Sequence, residues 1–321
     1  MRKLAVYASF LKEEHRVKIL ETAQRCGFTP DFYIETPLTP AQAADYEVIY
    51  AEPSRELIRA ATSLRWFCSC FAGVETITDE SLFHNSDVLL SNSAGSYGLT
   101  ISEHITMVTL MLLRQMPICM ENMRQHHWQK VSPMRSIYGS SITVLGTGDI
   151  GTQFARRAKA LGAATVRGVR RSQKPCDSAF DQVYTNEQLD DILPKTEILV
   201  MALPSTAETA GILSRERIAL LPKNAIVINV GRGTAIDQEA LMEALNEERI
   251  AGAALDVMVP EPLPEDHPLW NTKNLLLTPH ISGQTSLPQT VDRNVDMFCC
   301  DLENYASGRP LAHLVDRRRG Y

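Results

Sequence analysis

The sequence predicts an α/β protein made of two doubly wound parallel-sheet domains. Three observations carry this. Short apolar runs of strand length alternate with helix-length segments along nearly the whole chain. The polar residues capable of chemistry fall just after apolar runs, and open α/β sheets bind ligands outside the carboxyl ends of their strands. The chain has 321 residues, and single cores stop growing near roughly 250–300 residues.

The elements follow in order. LAVYAS (4–9) reads as a strand, and a helical stretch from Glu13 to Cys26 is ended by Gly27. EVIYA (47–51), LRWFCSCF (64–71) and DVLLSNS (87–93) are further strands. One long helix is expected from about Leu99 to Gln125, because Ile101, Ile105, Val108, Leu112 and Met116 recur at steps of three and four. The polar loop 131–140 leads into SITVLGTGDIG (141–151), a strand, turn and helix start. FARRAKALGA is the helix and ATVRGVRRS (164–172) the next strand. EILVMALPST, AIVINVGRGT, IAGAALDVM and NLLLTPHISG each read as an apolar strand ending in a polar loop. A helix from Val291 to Ala306 comes last, and Arg317-Arg318-Arg319 reads as a solvated tail.

Composition excludes several classes. Hydrophobic residues make up 44 % and charged residues 22 %, ordinary soluble usage. A core of this size needs no metal or disulfide staple. The net charge of -6 argues against a nucleic-acid surface. No run reaches the ~18–20 apolar residues of a membrane span, and the N-terminus lacks the features of a secretory signal. The seven cysteines fit no zinc or CxxC spacing: Cys68 and Cys70 are two apart, and Cys299 and Cys300 are adjacent. Reduced, buried thiols in a cytoplasmic protein, with no metal, are the expectation.

The turn Gly146-Thr147-Gly148-Asp149-Ile150-Gly151 carries the first chemistry. Gly146 permits a tight turn, Gly148 lets backbone approach a pyrophosphate, and Gly151 lets the helix pack close to the strand. The helix start favours an anion through its free N–H groups and dipole. The competing reading is an ordinary βα turn, but the strand before and the helix after favour a dinucleotide. An NAD site usually has an acidic residue about 20 residues on. Here the next strand ends in Arg170, Arg171 and Ser172, with Lys174 beyond, and no carboxylate sits at its tip. Guanidinium groups pair with a 2′-phosphate, so NADP(H) is expected, with NAD(H) the lesser alternative. Asp177 and Asp181 lie too far along for the acidic role.

Three further segments stand out: Asn229-Val230-Gly231-Arg232-Gly233, Asp256 to Pro262, and Thr278-Pro279-His280-Ile281-Ser282-Gly283. With the glycine turn, with Ala72-Gly73-Val74-Glu75, with Ser102-Glu103 and with His127-Trp128, they make the chain resemble the D-isomer-specific 2-hydroxyacid dehydrogenases over nearly its whole length. The resemblance implies a Rossmann-type cofactor domain (99–290) inserted in a flavodoxin-like substrate domain (1–98 with 291–321), with catalysis in the cleft. It implies that Arg232, Glu261 and His280 are catalytic. A histidine can donate a proton in one direction and accept it in the other, a carboxylate orients it, and an arginine binds a substrate carboxylate. Ala72, Gly73 and Val74 match the family's carboxylate-binding loop. Asp256 matches a residue near the nicotinamide amide, Leu203 and Pro204 match the loop over the adenosine, and Val230 and Gly283 flank the cofactor.

One position departs from the family. Tyr97 stands where an asparagine is frequent, and a ring there would narrow the substrate pocket or touch the nicotinamide. The resemblance also implies a homodimer and a small 2-oxo acid substrate such as glyoxylate or hydroxypyruvate. Alternatives are a dinucleotide-sensing, co-repressor-like binding protein and a D-3-phosphoglycerate dehydrogenase-like enzyme. Formate dehydrogenase is disfavoured by Glu261, where that family has a glutamine.

Overall fold

The computed structural model describes residues 2–172 and 177–320, so Lys174 and Cys176 lie outside the described residues. The chain forms two compact units, residues 1–97 with 284–321 and residues 98–283.

The first unit opens with β1 (Arg2–Tyr7), α1 (Glu13–Arg25), β2 (Phe28–Phe32), α2 (Pro40–Ala43), β3 (Val48–Ala51), α3 (Arg55–Ala60), β4 (Trp66–Ser69) and β5 (Leu89–Ser91). Its strands form one parallel sheet in the order β2-β1-β3-β4-β5, the flavodoxin-like order. Every residue of β3 and β4 is buried, as expected of central parallel strands covered on both faces. The sequence hides β2. It is an edge strand of alternating burial with Pro30 in its middle, and an edge tolerates the missing N–H.

The second unit begins with α4 (Gly98–Leu113) and α5 (Met116–Arg124). The single long helix expected here is therefore two. Pro117 sits in the first turn of α5, where its ring would otherwise meet the carbonyl of Leu113, and Gln115 takes a left-handed φ of 56° to break the chain direction. The apolar stripe holds through Ile101, Ile105, Val108 and Leu112, all buried, but Met116 is exposed. Then come β6 (Ser141–Leu145), α6 (Asp149–Ala160), β7 (Thr165–Val169), β8 (Gln182–Tyr184), α7 (Leu189–Ile192), β9 (Ile198–Met201), α8 (Arg215–Ala219), β10 (Ile226–Asn229), α9 (Gln238–Asn246), β11 (Gly252–Leu255) and β12 (Leu275–Leu277). All seven strands are parallel, in the order β12-β11-β10-β9-β6-β7-β8. The order reverses between β6 and β9, the doubly wound pattern whose switch point binds dinucleotides.

The chain returns to the first unit with α10 (Pro288–Ala306). Phe298 of α10 stacks on Tyr50 and Trp66 and closes that core. The solvated tail needs correcting. Arg317 donates to the Val88 carbonyl, and its guanidinium lies 3.8 Å from the centre of the Phe83 ring. A guanidinium stacks well on an aromatic face, which is why this residue docks while Arg318 and Arg319 stay exposed. Among the described cysteines all are free, but only Cys68, Cys70 and Cys299 are buried, and Cys300 is exposed. No helix of the described residues is long and apolar enough to cross a membrane.

Candidate active site

The glycine turn lies at the carboxyl end of β6, whose last four residues are buried. Gly146 has φ +98°, and a Cβ there would sit 2.5 Å from the Ala202 carbonyl oxygen. At Gly151 a Cβ would fall inside contact distance of the Gly146 carbonyl and 3.0 Å from Val144 Cγ1. Only glycine fits either place. Gly148, the N-cap of α6, is different: a Cβ there would meet nothing within 4 Å. The open space stands at a helix N-terminus whose first N–H groups have no intrahelical partner, a cradle that fits a pyrophosphate. Asp149 turns its Oδ2 to the Gly98 N–H at the start of α4, 2.8 Å away, and Ile150 is half-buried.

The neighbouring strand comes close by register. Leu145 pairs with Val169, and the Gly146 N–H donates to the Val169 carbonyl. Thr147 packs on Gly168, where a Cβ would lie 2.5 Å from its methyl group. Arg170, Arg171 and Ser172 thus leave β7 beside the turn. Arg170 donates its N–H to Tyr184. Arg171 lies 3.8 Å from Glu208, with both side chains well exposed. Such a pair is weak and easily exchanged for a stronger anion. The two acids that follow are engaged elsewhere: Asp177 pairs with Arg156, and Asp181 pairs with Lys159 and accepts from the Val166 N–H.

The loops after β9, β10 and β11 pack on one another. A Cβ at Gly231 would lie 2.6 Å from the Leu203 carbonyl oxygen, and one at Gly233 would fall on the Met258 backbone. The two glycines therefore wedge Arg232 between the Leu203-Pro204 loop and the Met258 loop. Asn229, 1 % exposed, folds the turn: its Oδ1 accepts from the Gly231 N–H and its Nδ2 donates to the Arg232 carbonyl. Arg232 Nη1 donates to the Gly231 carbonyl at 2.7 Å. Val230 continues β10 by donating to Met201.

Glu261 joins this cluster from the β11 loop. Its Oε1 accepts from the Met258 N–H at 2.8 Å, and its Oε2 lies 2.8 Å from His280 Nδ1. A carboxylate can only accept, so Nδ1 carries the hydrogen and Nε2 is left for another partner. His280 has φ +53°, a left-handed backbone uncommon outside glycine. Asp256 holds it there. The Asp256 carbonyl accepts from the His280 N–H, its Oδ1 accepts from Thr278 Oγ1 and the Ile281 N–H, and its Oδ2 accepts from the Ser282 N–H. Burial opposes ionisation of this carboxyl, but the bonds from Ser282, Thr278 and Ile281 outweigh it and hold its pKa below the usual range. Gly283 ends this loop, half-buried.

Sequence reading passed over Asn229, Thr278 and His104 as functional residues. His104 lies on α4 with Nε2 3.4 Å from Thr278 Oγ1, and burial lowers its pKa against the pull of Asp256. The signal for Asn229 and Thr278 was the one that found Arg232 and His280, a polar residue closing an apolar run. His104 gave none, being one polar residue inside a helix.

Ala72, Gly73 and Val74 form a separate cluster in the first unit, on the loop leaving β4. Tyr97 is 5 % exposed, and its hydroxyl donates to the Cys70 carbonyl at 2.9 Å. Its oxygen is bound to the backbone that carries this loop. Among the described residues, no group of three His, Cys, Asp or Glu could hold a metal ion.

The chain is similar to known proteins in sequence and in fold. Residues 106–282 match the family model for the NAD binding domain of the D-isomer specific 2-hydroxyacid dehydrogenases. A glyoxylate/hydroxypyruvate reductase A of Yersinia enterocolitica is 30 % identical over 285 residues, covering 87 % of this chain and 88 % of that protein. A D-isomer specific 2-hydroxyacid dehydrogenase family protein from Aeromonas salmonicida matches with a TM-score of 0.85 and 31 % identity, over 98 % of this chain and 99 % of that one. An NADPH-dependent glyoxylate/hydroxypyruvate reductase from Sinorhizobium meliloti, solved with NADP and sulfate, matches with a TM-score of 0.82 and 26 % identity over 100 % of both chains.

Proposed function

Because the chain belongs to the D-isomer-specific 2-hydroxyacid dehydrogenases, we propose that it reduces a small 2-oxo acid of the glyoxylate or hydroxypyruvate kind to the D-2-hydroxy acid, with NADPH as the preferred cofactor. The observation that carries this is the Glu261–His280 pair at 2.8 Å, beside the Arg232 turn at the carboxyl ends of β10, β11 and β12. The reductases of Yersinia enterocolitica and Sinorhizobium meliloti support the substrate class, and the second supports the cofactor.

The cradle at Gly148 would hold the pyrophosphate, and Arg170, Arg171 and Ser172 the 2′-phosphate. Leu203, Pro204 and Val230 would line the adenosine and nicotinamide side. Asp256 has one lone-pair site left on Oδ2 after its three donors, enough to accept from a carboxamide. When bound, the reduced cofactor supplies a hydride to the carbonyl carbon. His280 Nε2 gives its proton to the carbonyl oxygen, and in the reverse direction takes it back. Glu261 fixes the orientation of the ring through Nδ1. Arg232 pairs with the substrate carboxylate and draws charge onto the reacting oxygen. Ala72, Gly73 and Val74 offer N–H donors of the kind a carboxylate accepts.

His280→Ala is the test. We expect kcat to fall by about 10²–10⁴, with NADPH binding kept. Turnover within a few-fold of the parent would remove His280 from the reaction. A panel of 2-oxo acids assayed with NADH and NADPH in parallel names the substrate.

A homodimer also belongs to this reading. Met107, Met116, Ile118 and Met123 are exposed on α4 and α5, and Trp128 just beyond is fully exposed. So much apolar surface in one stretch favours a protein interface. Light scattering of the eluted protein gives the mass that decides it.

A further inference from the structure

The loop Phe71–Val74 is held by an internal hydrogen-bond lattice far larger than a surface loop needs. Three successive carbonyls are each taken. Cys70 O accepts from Asn294 Nδ2 at 2.6 Å and from the Tyr97 hydroxyl at 2.9 Å. Phe71 O accepts from Ser69 Oγ at 2.9 Å and from the Ser93 N–H at 3.3 Å. Ala72 O accepts from Asn92 Nδ2 at 2.7 Å. A trans peptide is planar, and its C=O and N–H point in opposite directions. Pinning the Phe71 and Ala72 carbonyls therefore turns the Ala72 and Gly73 N–H groups away from those donors. Among the described residues nothing accepts from the N–H groups of Ala72, Gly73 or Val74.

We propose that Asn294 is a positioning residue for this loop: through the Cys70 carbonyl and Ser93 it holds the root from which the amides that bind the substrate carboxylate are aimed. Asn294 is 0 % exposed and comes from α10, 224 residues beyond Cys70. Its amide has one allowed orientation. A carbonyl only accepts, so Nδ2 must face Cys70 O. Oδ1 then accepts from the Tyr50 hydroxyl at 2.7 Å, with Ser93 Oγ also 2.7 Å away. Tyr50 is itself fully buried and stacked on Phe298, so the whole lattice is anchored in the core. Tyr97 adds the second donor to the same carbonyl. Its ring, expected in the substrate pocket, acts on the loop from behind. The inference rests on the reading of Ala72–Val74 as the carboxylate loop.

A charged ligand on a displaced amide loses part of a charge-assisted bond, while the reacting atoms stay where Arg232, Glu261 and His280 hold them. Asn294→Leu keeps the shape and removes the amide. We expect its KM for glyoxylate and its Ki for oxalate each to rise about tenfold. Saturated kcat and NADPH affinity should stay near the parent values while the melting temperature falls by a few degrees, because the buried Tyr50 hydroxyl loses its acceptor; a merely structural residue would lower all three together. Tyr97→Phe removes one hydroxyl from the same carbonyl, should raise both constants about threefold, and serves if Asn294→Leu does not fold. Gly73→Val blocks the loop directly and separates the two ideas. If Gly73→Val leaves KM and Ki unchanged, the loop does not bind the carboxylate, and both ideas fall. If Gly73→Val raises them while the folded Asn294 and Tyr97 variants leave them unchanged, only the positioning role falls. A uniform loss of kcat, NADPH affinity and stability in the Asn294 and Tyr97 variants would also overturn it.

Discussion

Two glycines three residues apart should respond to alanine in opposite ways. At Gly151 the added methyl group meets Val144 Cγ1 at 3.0 Å and the Gly146 carbonyl carbon at 3.1 Å, with the Gly146 oxygen closer still. Carbon atoms rest about 3.5–4.0 Å apart, and the oxygen is nearer than either carbon, so α6 must move off β6 by roughly 1 Å or more. Overpacking of this kind costs about 1–3 kcal/mol. Alanine in place of glycine inside a helix returns about 0.5–1 kcal/mol, leaving a net loss of about 0.5–2 kcal/mol. At Gly148 the methyl group meets no protein atom, and its backbone, φ -75° and ψ -161°, suits alanine. The cost is the roughly 0.5–1 kcal/mol that separates glycine from alanine at an N-cap. That methyl group instead occupies the space a pyrophosphate needs. Losing one charge-assisted bond there costs about 1.5–3 kcal/mol, or about 10–100-fold in affinity.

Thermal unfolding without cofactor and fluorescence titration with NADPH measure the two effects separately. Gly151→Ala should melt several degrees lower. Gly148→Ala should melt only slightly below the parent and bind NADPH about 10–100-fold more weakly. Parent-like NADPH affinity in Gly148→Ala would refute the placement of the pyrophosphate. A parent-like melting point in Gly151→Ala would refute the steric argument.

Two further predictions follow from single side chains. Replacing Arg170 and Arg171 together with alanine should reduce the NADPH-over-NADH preference in kcat/KM about 10–100-fold, with kinetics for NADH kept; an unchanged ratio places the 2′-phosphate elsewhere. His104 titrates below the ordinary histidine value because it is buried, although Asp256 pulls the other way. The unfolded chain therefore takes up this proton at higher pH than the folded one, so stability falls as the pH drops through about 6.5 and levels off below the lowered value. His104→Gln should shrink the drop in melting temperature between about pH 7.5 and pH 5.5, and an equal drop in the variant would assign that loss to other groups.

The parts of the site that were legible in the sequence share one property. Gly146, Arg170 and Arg232 close strands with buried residues and His280 closes the apolar run of half-buried β12, so a change of residue type marks where each strand ends. The edge strands β2 and β8 lack that contrast. β2 and β8 have one hydrogen-bonded neighbour and partly exposed residues, so neither reads as a strand. The break between α4 and α5 was hidden because Met116 continues the apolar period by chance. Pro117, whose effect falls four residues earlier, was the letter that mattered.

What the sequence could not show is how distant polar residues exhaust each other's hydrogen bonds. Asp256 and Asn294 have similar side chains; the sequence offered Asp256 only as a residue near the nicotinamide amide, and Asn294 only as part of the last helix. In the structure each is almost wholly buried and fixes a loop at the end of a strand, Asp256 through donors at 278, 281 and 282 and Asn294 through the carbonyl of Cys70. A buried polar group left without partners costs about 1–3 kcal/mol, so each loop keeps the one conformation that satisfies its anchor. That cost can hold His280 at a left-handed φ, a conformation that is strained for a non-glycine residue by about 1–3 kcal/mol. The two terms are of equal size. The geometry of the His280 loop therefore depends on Asp256 staying ionised with its three donors in place, and the hydrogen bonds that lower its pKa are the same ones that keep that loop where it is.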